Sequence, residues 1–154
     1  MFDIAFCDDT ENDVHLSQGV IRLNGLSERF ECPLDYWDKT AYFSQWYQGI
    51  LRSIDEQLDS CLITSITDPL TANFLLWWPM YAEGSDVVFQ NQVYFFRENE
   101  AIFDVENPYR SISPRRSVSE EGRKISEWTV AVSDLRKWID VQRMGDEKNI
   151  YQAR

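Results

Sequence analysis

An α+β domain with a mostly antiparallel sheet, one central helix and one carboxy-terminal helix follows from three features of this 154-residue sequence. Asn24-Gly25 lies between two β-forming runs, the signature of a tight hairpin. Between Lys39 and Leu58 the apolar period changes from two to 3.6, as expected where strand gives way to helix. From Cys61 to Phe96, short β-rich runs are separated by turns too brief for crossover helices, and a second helical pattern begins only after Ser133.

Phe2 to Cys7 is a short apolar run ending at Asp8-Asp9 and reads as the first strand. Val20 to Leu23 and Leu26 to Pro33 form the hairpin, because Asn-Gly adopts the positive φ angles of a type I′ turn at little cost. The helix places Phe43, Trp46, Tyr47, Ile50, Leu51, Ile54 and Leu58 on one stripe, with Gln45, Gln48, Arg52, Asp55 and Glu56 opposite. Asp38 or Thr40 caps its start, and Gly49 within it implies close packing against a neighbour. Cys61 to Thr67, Phe74 to Tyr81 and Asp86 to Phe96 read as strands, with Pro79 placing an edge or a bulge in the second. Residues 104–124, rich in Pro, Ser and Arg, read as a long loop. Ile125 to Val132 then alternates, and Ser133-Asp134 caps a last helix carrying Leu135, Trp138 and Ile139. One domain over residues 1–144 and a frayed polar tail over 145–154 complete the organisation.

Composition narrows the function. Hydrophobic residues make up 44% of the chain, enough for a packed core and too many for a disordered segment. The longest apolar run, Phe74 to Met80, is far short of the ~20 residues of a membrane span. Met1-Phe2-Asp3 lacks the basic and apolar regions of a secretory signal, so the expected compartment is the cytoplasm. Cys7, Cys32 and Cys61 carry no CxxC spacing and read as reduced packing residues. There are 26 acidic against 15 basic residues, a formal net charge of −11, and residues 1–38 alone hold nine Asp or Glu and two Arg. Such a surface keeps a small domain soluble, repels nucleic acid and anionic membrane, and attracts basic partners.

Motifs that carry chemistry are sparse. Ile4-Ala5-Phe6-Cys7-Asp8-Asp9 resembles the first strand and acidic pair of a phosphoreceiver, where two carboxylates hold Mg²⁺. That reading needs an acceptor Asp and a Lys at the ends of later strands, yet no Lys occurs between Lys39 and Lys124 and no βα repeat follows. Cys7 and His15 form a possible thiolate pair with nothing in sequence to orient it. Asp8, Asp9, Glu11 and Asp13 have the density of a calcium loop but lack its turn Gly and terminal Glu. Glycine-rich phosphate loops and GxSxG elbows are absent, and the six Trp fall mostly on buried stripes. Tyr36-Trp37 and Tyr81, beside acidic turns, are the aromatics suited to an interface.

The middle and end of the chain resemble the immunity proteins of bacterial contact-dependent growth inhibition, the CdiI type. The resemblance is carried by Tyr36-Trp37, Gln45-Trp46, Cys61-Leu62-Ile63-Thr64-Ser65 and Trp77-Trp78-Pro79-Met80-Tyr81-Ala82-Glu83-Gly84 running into Val88-Phe89-Gln90-Asn91, and it closes with Ile125-Ser126-Glu127-Trp128. It spans about residues 36–139 in order. It implies a non-enzymatic protein without cofactor or metal that binds and neutralises the carboxy-terminal toxin domain of an effector, often a nuclease. Contact residues do not transfer by motif, so charge nominates them. A basic cognate toxin domain would meet Asp8, Asp9, Glu11 and Asp13 in the first loop, Asp35, Tyr36 and Asp38 before the helix, and Glu83 and Asp86 in a later turn. Arg110, Arg115 and Arg116 either reach an acidic patch of the partner or fold back on this chain's own acid. The alternatives are a receiver-like or Mg²⁺-dependent enzyme using Asp8 and Asp9, and a generic acidic adaptor.

Overall fold

In a computed structural model, which describes residues 1–7, 14–99 and 101–152, with backbone alone for 149–152, the element order is ββββ-rich around one early and one late helix. Strands β1 (Phe2–Phe6), β2 (Leu16–Leu23) and β3 (Leu26–Pro33) form an antiparallel sheet in the order β1-β2-β3. Its hairpin turns where expected, with Asn24 at φ 22° and Gly25 at φ 94°, and Leu23 opposite Leu26. β2 starts at Leu16 rather than Val20. Polar Ser17 and Gln18 hide this in the sequence, and Gly19 is required because a Cβ there would stand 2.4 Å from the Phe30 ring.

Helix α1 (Lys39–Asp55) is capped by the Asp38 carboxylate, which accepts from the Ala41 N–H at 2.8 Å. Its buried face is Tyr42, Trp46, Gly49, Ile50, Ser53 and Ile54. The face is rotated from the expected stripe: Phe43 and Tyr47 are half-buried against Trp138, and Leu58 lies beyond the helix end, exposed. Gln45 does not face solvent. Its amide donates to the Cys61 carbonyl at 2.8 Å while its carbonyl accepts from the Ile63 N–H at 2.7 Å.

The second sheet holds β4 (Ser60–Ser65), β5 (Phe74–Glu83), β6 (Asp86–Phe89), β7 (Gln92–Phe95) and β8 (Trp128–Ala131), in the order β4-β5-β6-β8 with β7 on β5. The expected strand Asp86 to Phe96 is thus two strands, broken at Gln90-Asn91. Pro79 sits in the central strand, neither at an edge nor at a bulge of its own. β5 pairs β7 through Trp77 and β6 from Met80, so the missing N–H falls where one partner hands over to the other, and the Pro79 carbonyl there accepts from Gln90. Every strand pair among the described residues is antiparallel, which removes the parallel βα architecture a phosphoreceiver requires.

Residues 104–124 are irregular apart from a 3-10 turn at Pro108–Ser111 and one bridge, Val118 to Lys124. Helix α2 (Val132–Gln152) begins one residue before the expected Ser133 cap, because its first N–H donates to the Ser85 carbonyl at 2.9 Å. The helix continues through the polar stretch assigned above to a tail. From Val141 to Lys148 all residues but Gln142 are exposed, so composition there reads as solvent-facing without ceasing to be helical.

The core lies between the sheets and under both helices. Trp138 packs on Phe2 and Phe43, and its indole donates to the Ile4 carbonyl at 3.3 Å. α1 runs so close to β4 that a Cβ on Gly49 would stand 2.5 Å from the Cys61 carbonyl oxygen. Gly49→Ala is therefore expected to destabilise the protein by about 1–3 kcal/mol, the usual cost of forced overpacking. Urea unfolding checks this, and an unchanged midpoint would show that α1 has slack against β4.

Candidate partner-binding surface

The connections divide the molecule into two ends. Cys7 donates to Gln18 and Leu34 to His15, and the Tyr42 hydroxyl donates to the Pro33 carbonyl and accepts from the Ile66 N–H. The start of β2, the β3–α1 connection and the exit from β4 therefore share one end, together with the start of β5 and the exit from β7, where Phe96 donates to Asn73. At the opposite end the amino-terminal ammonium meets Asn24 at 2.6 Å and Asp134 at 3.2 Å, close to the β5–β6 turn. The eight residues of β2 set the ends roughly 23 Å apart.

The nominated residues do not form one site. Asp35, Tyr36 and Asp38 stand together, exposed, at the first end. Asp35 is 2.7 Å from His15 Nδ1, and Asp38 has its capping duty. Glu83 and Asp86 flank the turn at the opposite end, so the structure does not bring them to the others. Glu83 is already engaged: Arg115 donates to it at 2.9 Å and grips Glu127 with two hydrogen bonds of 2.7 and 2.9 Å. Asp8, Asp9, Glu11 and Asp13 lie outside the described residues. Of the aromatics singled out, Tyr36 is exposed, Trp37 packs on Tyr42 at 5.3 Å, and Tyr81 is buried with its hydroxyl donating to Ser113.

Arg115 settles one open choice. It folds the 104–124 loop back on the chain's own acid, while Arg116 reaches Glu120 at 3.8 Å and Arg110 is exposed. Beneath it the fully buried Gln90 donates to Glu127 and to the Arg116 carbonyl and accepts from Gln92. The hydrogen bond from Arg115 holds the Glu127 carboxyl below its ordinary pKa, helped by Gln90. Sequence did not single out Glu127, 12 residues from Arg115, or pair Arg115 with Glu83, 32 residues away.

Charge is unevenly shared between the ends. The first carries Asp35, Asp38, Asp68, Glu98 and Asp104 against Lys39 and Arg97, and among the described residues Asp38, Asp68, Glu98 and Asp104 have no ion-pair partner. At the opposite end Asp134 is matched by the ammonium and Lys137, and Glu83 by Arg115, while among the described residues Asp59 and Asp86 have no ion-pair partner. Between β3 and β5 opens a groove of about 710 Å³, floored by Leu76 and Trp78 with Glu28 and Glu31 on its wall. Burial pushes the Cys32 thiol up to about 12 and raises Cys61 as well, so both stay protonated packing groups. His15 turns to Asp35.

The family model described as the CdiI N-terminal domain matches residues 32–138, from the end of β3 to Trp138. The chain belongs to the CdiI family. The immunity protein CdiI of Enterobacter cloacae is 33% identical over 120 residues, which are 78% of this chain and 80% of that protein. A solved structure described as a CdiA-CT/CdiI toxin and immunity complex from Enterobacter cloacae contains a chain of 27% identity and TM-score 0.80, the match covering 92% of this chain and 97% of that one. Sequence reasoning reached this CdiI membership and the α+β architecture. It missed the exposed apolar residues Leu70, Phe74, Phe95 and Ile102 near the acidic end: Phe74 and Phe95 lie in β-rich runs that read as core, and Leu70 and Ile102 stand in connections without a pattern to place them.

Because Glu127 titrates lower when folded, its stabilisation is present above the ordinary carboxylate pKa and is lost as pH falls through the lowered value. Glu127→Gln should therefore lose stability at about pH 7 and show a smaller further loss on going to about pH 3 than the parent does. Urea midpoints at the two pH values check this; parallel losses would place the pH sensitivity elsewhere.

Proposed function

We propose that this chain neutralises the carboxy-terminal toxin domain of a contact-dependent growth inhibition effector by binding it one-to-one in the cytoplasm. The observation that carries the proposal is the CdiI match across nearly the whole chain to a protein solved with its CdiA-CT toxin. Occlusion needs no catalytic step, no metal and no cofactor. The likeness to a phosphoreceiver at Asp8 and Asp9 has no support from the antiparallel sheet.

The concentration of carboxylates at one end supports a basic partner, the character expected of a domain that acts on nucleic acid, and makes nucleic acid and anionic membrane poor partners for this surface. No helix of the described residues is long and apolar enough to cross a membrane. Asp35, Tyr36 and Asp38 are the proposed contacts, with Asp8, Asp9, Glu11 and Asp13 in the stretch whose flanking residues Cys7 and Val14 adjoin that end. Long-range attraction between such faces raises association toward ~10⁸ M⁻¹s⁻¹ at low salt.

Co-expression with the cognate toxin domain should restore growth and yield a one-to-one complex on purification. Its association rate should fall steeply with added salt, and Asp35→Asn with Asp38→Asn should flatten that slope. Continued killing with no complex would refute neutralisation by binding, and a salt-independent rate would refute the acidic docking face.

A further inference from the structure

Exposed aliphatic side chains occur over much of the surface, but among the described residues the exposed aromatics, Tyr36, Phe74 and Phe95, all stand at the acidic end. Leu70 is 83% exposed, Phe74 47%, Phe95 44% and Ile102 89%, and all four belong to the connections and strand ends of the acidic end. Phe74 and Phe95 face each other across the β5–β7 pair, with ring centroids 6.1 Å apart in an edge-on arrangement. Monomeric surfaces seldom gather large apolar groups in this way without a use for them.

These groups are also held in place. Leu70 sits at a turn locked by Asp68, whose carboxylate accepts from the Leu70 N–H at 3.0 Å and whose carbonyl accepts from Thr71 and Ala72. The end of β7 is pinned by Asn99, which donates to the Phe95 carbonyl at 2.8 Å. With the backbone fixed beforehand, association need order only the side chains, which lowers its entropic cost. Around them stand Asp68, Glu98 and Asp104, none with an ion-pair partner among the described residues. An apolar centre within a charged rim is the anatomy of a specific protein interface.

We infer that Leu70, Phe74 and Phe95 form the apolar anchor on which the toxin domain seats, and that the matching toxin face is a basic surface with an apolar centre. The inference rests on the neutralisation proposed above and adds the residues that set how long the complex lasts. Acid at the rim governs the approach, and the anchor governs the escape. Tyr36, exposed at the same end, extends the anchor toward the β3–α1 connection.

The test compares binding kinetics of the full chain to a catalytically silenced toxin domain for the parent, Leu70→Ala, Phe95→Ala, and two variants on α2, Val141→Ala and Met144→Ala. Val141 and Met144 are equally exposed but stand on the polar half of α2. Leu70→Ala and Phe95→Ala should each dissociate roughly tenfold faster or more, with the association rate and its salt slope unchanged. The α2 variants should stay within about twofold of the parent. Because Leu70 is nearly free of the core, its variant keeps the parent melting temperature and separates binding from folding. Parent-like dissociation of both anchor variants, with the parent binding tightly, would overturn the anchor and leave neutralisation standing. Absence of binding by the parent would overturn both. A self-associated parent that Leu70→Ala renders monomeric, with toxin binding untouched, would assign the patch to a second copy of this chain and also overturn the inference.

Discussion

Everything else in this fold depends on how α1 closes the open edge of β4. An edge strand presents a row of backbone donors and acceptors that must be paired, wetted or covered. Here four side chains of one helix take them up. Arg52 donates to the Asp59 carbonyl, Gln45 bridges Cys61 and Ile63, the Trp46 indole donates to the Ile63 carbonyl at 2.7 Å, and the Tyr42 hydroxyl serves Ile66 and Pro33. Ser60 returns a bond to the Gly49 carbonyl at 2.6 Å. Each such bond stabilises only modestly, but a buried polar group costs ~1–3 kcal/mol when left without a partner, so the helix is held in one position along the strand. Tyr42 joins the end of β3 to the exit from β4, which brings the two sheets to a common edge.

That common edge is the acidic end. Because α1 is pinned there by its Asp38 cap, the connection before it cannot swing away, and Asp35 and Tyr36 are presented from a fixed base. The opposite end spends Asp134 and Glu83 internally, on the ammonium, Lys137 and Arg115. The result is a molecule with more unpaired carboxylates at one end than at the other among the described residues. A charge of −11 keeps the protein soluble, and the excess of acid over base at this end favours the approach of a basic partner.

The sequence discloses what is local. Asn24-Gly25, the Asp38 cap and the strand runs could be read because their physics is contained within a few residues. The match of short motifs over 36–139 also sufficed for the family. What escaped was non-local. Gln45 reads as solvated because its role depends on an edge strand 16 residues away, and Pro79 reads as an edge residue because the hand-over from β7 to β6 is invisible before the strands are laid side by side. Glu83 and Asp86 have the same composition as the acid near Asp35, and only the topology places them at the other end. Leu70 and Ile102 carry no periodicity to mark them as exposed.

Hydrogen–deuterium exchange of the chain, free and bound to its toxin domain, tests the proposed docking end most directly. Slower exchange on binding is expected in the backbone of residues 34–38, 66–74 and 95–104, with residues 83–86 and the outer half of α2 unchanged. Protection confined to the β5–β6 turn or to α2 would contradict docking through the acidic end.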